Sequence, residues 1–107
     1  MKKYLVLYRS TVSAREQMAK TTPEQSKAAM GEWMAWAQRV GSGMVDMGSP
    51  LGETTLVNGK AGGGFIGGFS ILHATSMGDA QKLVDGHPHL KAGGSIELLE
   101  FMPIPGM

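Results

Sequence analysis

Two segments of this chain carry apolar side chains at both odd and even positions, and they limit the possible folds more than anything else in it. In "KYLVLYR", residues 3–9, Tyr4, Val6 and Tyr8 alternate with Leu5 and Leu7. In "FIGGFSILHA", residues 65–74, Phe69, Ile71 and His73 alternate with Ser70, Leu72 and Ala74. Successive side chains of a strand point to opposite faces, so each segment predicts a strand whose two faces both need covering. Gly67 and Gly68 leave room for a bulge or a close approach.

Helical signals lie between and after these strands. "TTPEQ" opens the main helix, with Thr22 as N-cap, Pro23 at the first helical position and Gln25 at capping-box spacing. The helix is expected to run to Val40, with Met30, Trp33, Met34, Ala37 and Val40 as its inner stripe and Trp36 off the centre. "GSG" at 41–43 ends it. A short strand, Met44 to Gly48, precedes the turn "SPLGE", and "TTLV" at 54–57 predicts another. Asn58-Gly59 then supplies a tight turn, and "KAGGG" a connector. "TSMGDAQKLVDG" predicts a second helix capped by Ser76, lined by Met77, Ala80, Leu83 and Val84, and stopped by Gly86. The last strand is Ser95 to Met102, and residues 10–22 read as a polar connection.

This order, β-α-β-(β)-β-α-β, fits an α+β fold: a ferredoxin-like split βαβ antiparallel sheet with two helices on one face. With 107 residues, the chain is expected to form a single domain over 1–107. Nothing remains to cover the second face of the sheet, whose apolar area would exceed what soluble monomers usually expose. The expectation is a homodimer with its sheets face to face.

Composition removes several classes of function. Ten basic and nine acidic residues are scattered rather than clustered, which argues against nucleic acid as a partner. The absence of cysteine excludes disulfides, thiolate nucleophiles and zinc-thiolate sites. "MKKYLVLYRS" reads as a strand rather than a signal peptide, since the apolar run stops at Arg9 with no cleavage site. No apolar stretch approaches the ~20 residues of a membrane-spanning helix. A cytoplasmic protein with no membrane partner is expected.

"KKYLVLYR", a helix ending in glycine, "GSPL", "GGFSILHATSMGDAQKL" and "HPHLKAGGSIELLEFMPI" follow one another in an order that resembles the YCII-related (YciI-like, DGPF-domain) family. The resemblance covers nearly the whole chain. It implies a dimeric α+β barrel with a cleft at the dimer interface, where a first-helix histidine and a turn aspartate have been proposed as an acid/base pair. The chain departs from that pattern: its first helix has no histidine, Met30 or its neighbours occupying the matching region. His87 replaces the turn aspartate, His89 stands where many relatives have an aromatic residue, and the DGPF tetrapeptide is missing.

His87 and His89, flanking Pro88, are the candidate catalytic residues, because an imidazole of pKa ~6.5 exchanges protons at neutral pH. The competing reading gives His87 to the dipole of the preceding helix's C-terminus and packs His89 under the turn. A metal would need three or more ligands, and His-x-His supplies two. His73, Asp46, Glu97 or Asp85 could be the third, but no motif fixes one, so neither metal nor cofactor is assigned. Candidate ligand-binding residues are Trp36, Met30, His73, Ser49 and Asp46. Trp36 and Met30 would line an adaptable apolar cavity. His73 is either a hydrogen-bonded core residue or barrel-lining; Asp46 points to solvent or orients a histidine. Ser49 lacks the context of a nucleophile, and the "GKAGGG" stretch lacks that of a phosphate-binding loop. Two functions follow. One is a small-molecule-binding protein with a small apolar organic ligand, acting as a cofactor-independent enzyme through a histidine. The other is a non-catalytic binding or assembly module with structural histidines.

Overall fold

The doubly apolar segment at the start of the chain becomes β1 (Lys2–Ser10), a central strand of a four-stranded antiparallel sheet ordered β2-β3-β1-β4, in a computed structural model that describes residues 1–60 and 62–106. Its neighbours are β3 (Phe65–Ala74) and β4 (Ser95–Glu100), and β2 (Met44–Pro50) forms the far edge. The result is α+β. Ala61, in the glycine-rich connector, and Met107 lie outside the described residues.

Alternation assigns the faces. Tyr4, Val6 and Tyr8 of β1 and Ser70, Leu72 and Ala74 of β3 are buried. Over them pack Trp36 and Val40 from α2 (Pro23–Val40) and Ala80 from α3 (Met77–Leu83), with Val84 just beyond it. On the other face Leu5 lies opposite Ile71 and Leu99, and Leu7 opposite Phe69, all only partly covered. The molecule is 20 Å across its shortest axis, the depth of a sheet and one helical layer.

The capping box at Thr22 and Gln25 forms as the sequence predicts, each side chain bonded to the other's backbone N–H. The inner stripe of α2 needs correction. Trp36 is 2% exposed and Met30 60%, so the helix is rotated to bury Trp33, Trp36, Ala37 and Val40 while Met30 and Met34 face outward. Trp36 also donates its Nε1–H to the carbonyl of Leu83 at 2.9 Å, a partner that an indole needs if it is to be buried.

Three further elements differ from expectation. Residues 54–57 form no strand: they are exposed, and β2 already occupies the edge beside β3, leaving their β-propensity without a partner. Residues 14–20 form a helix, α1 (Ala14–Lys20), whose N-cap Ser13 accepts the N–H of Glu16. Pro88–Lys91 forms one helical turn, α4, with Pro88 at its start. Among the described residues no helix is long and apolar enough to cross a membrane.

Candidate functional site

His87 lies wholly inside the protein, 0% exposed. Its ring stands edge-on to Trp36 and Trp33, with centroids 4.3 and 4.5 Å away, and tilted against Tyr8 at 5.0 Å. Its Nδ1 accepts the backbone N–H of His89 at 2.9 Å and so caps α4. An amide can only donate, so Nδ1 is unprotonated and a neutral ring carries its hydrogen on Nε2. That Nε2 is buried and has no hydrogen-bond partner among the described residues. Burial, reinforced by His89 and Arg39, pushes the ring's pKa down to about 4. His87 is thus a neutral aromatic packing residue and cap. The reading of a partly cationic ring on a helix dipole is replaced, because burial among aromatic rings penalises the charged form.

His89, two residues on, has a different environment. It is half-buried, its ring lies edge-on to Tyr8, and its Nε2 is 2.9 Å from the carbonyl of Arg9. A carbonyl only accepts, so Nε2 carries the proton, and in the neutral ring Nδ1 holds the lone pair. Gly94 makes room for this ring: a Cβ there would stand 2.2 Å from His89 Nε2. The turn and the glycine that launches β4 therefore fix the imidazole together.

His89 lines a cleft of ≈470 Å³ between α1, α2 and the adjoining ends of β1, β2 and β3. Its walls include Tyr8, Met18, Met30, Trp33, Met47 and Ser49. Among the described residues no aspartate, glutamate, lysine or arginine lines it. Behind the wall, Ser70 donates to the carbonyl of Met47 at 2.7 Å, so Ser70 Oγ accepts from the Tyr8 hydroxyl, also at 2.7 Å. Burial holds the Tyr8 phenol up at about 12, against the opposing pull of Ser70, and it stays neutral at ordinary pH.

The structure divides the predicted site residues. His89, Met30 and Ser49 meet in the cleft, where the outward turn of Met30 makes it a wall residue. His87 lies beneath it, touching Tyr8 and Trp33 but not among its lining residues. Trp36 faces away, into the core and a separate groove of ≈390 Å³ beside Arg39 and Pro88. His73 is opposite Lys3 on the far sheet face. Asp46 is exposed and accepts the Gly48 N–H at 2.8 Å, supporting the irregular β2 edge rather than the cleft or a histidine. Among the described residues no three histidine, aspartate or glutamate side chains converge as a metal site would require. Tyr8, Ser70 and Gly94 were not singled out from the sequence as site residues. Only the strand register and the turn geometry bring them together with His89.

No family model and no curated protein matches the chain.

Proposed function

We infer that the protein binds a small, largely apolar organic molecule in the α1–α2–sheet cleft, with His89 as the group that exchanges a proton with it. One observation carries the reading. Among the described residues His89 supplies the one imidazole of a cleft wall without charged side chains, and one of its nitrogens is tied to the Arg9 carbonyl, which leaves the other for a ligand. The cleft volume lies within the range of small-molecule sites. His87 serves as the support of His89, and the family's first-helix histidine has no counterpart, so a proton-transfer reaction would rest on His89 alone.

The strand order and the two helices over one face support the ferredoxin-like, YCII-related assignment that the sequence resembles. Leu5, Leu7, Phe69, Ile71 and Leu99 on the open sheet face support a homodimer whose sheets pack on each other.

Chemical-shift mapping with a library of small neutral organic compounds tests the site. Compounds that bind should perturb Met30, Trp33, Ser49 and His89; a library without a binder, or perturbations centred on the Trp36–Arg39 groove, contradicts the reading.

A further inference from the structure

The direction of each hydrogen bond around the cleft restricts what it can hold. Tyr8 donates its hydroxyl proton to Ser70, whose own proton goes to Met47. His89 Nε2–H goes to Arg9, the Ser49 hydroxyl to the Pro50 carbonyl at 3.0 Å, and the Thr21 hydroxyl to the Gln17 carbonyl. Four donors of the cleft wall are thus directed back into the protein. What these groups still offer is lone pairs, at Ser49 Oγ, Thr21 Oγ1 and His89 Nδ1, while the Tyr8 hydroxyl is buried against Ser70. The remaining side-chain donors of the wall are the Trp33 indole N–H, the hydroxyl of Ser10, whose Oγ accepts the Val12 N–H, and Gln17 and Ser26 on the exposed rim.

Charge adds a second restriction. With no charged side chain on the wall among the described residues, a carboxylate, phosphate or ammonium group would enter without a partner of opposite charge. Resting on the reading of this cleft as a ligand site, we propose that its ligand class is neutral apolar molecules bearing a hydrogen-bond donor, a hydroxyl or N–H directed at His89 Nδ1. Such a donor satisfies an acceptor that an ether or hydrocarbon leaves unpaired, and the same O–H or N–H is the proton within reach of His89.

Calorimetry at pH 7.5 with four probes of one skeleton tests this: 1-naphthol, 1-methoxynaphthalene, 1-naphthoate and protonated 1-naphthylmethylamine. The naphthol should bind at least about tenfold more tightly than each of the others. Binding of the methyl ether within threefold of the naphthol overturns the donor requirement, and equal or tighter binding of the naphthoate or the amine overturns neutrality. In those cases the cleft remains a ligand site. If none of the four binds, the ligand-site reading itself falls and this inference falls with it.

Discussion

His87 Nδ1 accepts the backbone N–H of His89 at 2.9 Å, so one histidine of the His-Pro-His turn is spent holding the other in place. The two rings look equivalent in sequence, yet one is a buried neutral cap and the other a cleft residue.

The first prediction concerns pH. The pKa of His87 in the folded protein, about 4, lies below the ~6.5 of an unfolded histidine, so the unfolded chain binds the proton more readily. Its contribution to stability is complete above pH ~6.5 and is lost as pH falls toward 4, in total about 3 kcal/mol. Urea unfolding between pH 7.5 and 4.5 should show this slope, and His87→Phe, which cannot titrate, should flatten it. An NMR titration should find the His87 ring still neutral at pH 5.5.

A second prediction concerns Gly94. Gly94→Ala places a methyl group 2.2 Å from His89 Nε2, which forces the ring off the Arg9 carbonyl. The loss should be about 1–3 kcal/mol. Because the clash is with the ring itself, adding His89→Ala should recover most of it, and a double-mutant cycle in denaturant reads that coupling.

The third contrasts two residues of α2. Trp36→Ala removes a buried ring and its bond to Leu83, and should cost about 3–5 kcal/mol. Met30→Ala, at a position 60% exposed, should cost under about 1 kcal/mol while weakening ligand binding. Chemical denaturation of the two variants separates them.

That contrast shows where sequence reasoning stops. The caps at Thr22 and Ser76 and the doubly apolar strands are local patterns, and each stands where local chemistry puts it. The helix stripe is not local: 30-33-34-37 and 33-36-37-40 are both apolar at helical spacing, and only the facing sheet decides between them. Helix α1 has no buried residue and hence no stripe to reveal it, although Ser13 and Glu16 do carry capping-box spacing. Pro88 between two histidines is compatible with a sharp turn, but Pro at the first helical position is equally a start signal, the role it has here. The full burial of His87 was not legible because its Tyr8–Trp33–Trp36 cage is built from two stretches of chain, β1 and α2, both distant from the turn.

The fourth prediction concerns assembly. Sedimentation should give a dimer at micromolar concentration, and Ile71→Glu on the open face should give a folded monomer. A wild-type monomer, or a charge at position 71 without effect on mass, contradicts the face-to-face pairing.

The most direct test of the central claim compares His89→Ala with the wild-type protein for binding of whichever compound the library selects, with the unfolding midpoint measured in parallel. Binding should be weakened at least about tenfold in a variant that still folds cooperatively. Undiminished binding by the folded variant would show that His89 takes no part in holding the ligand.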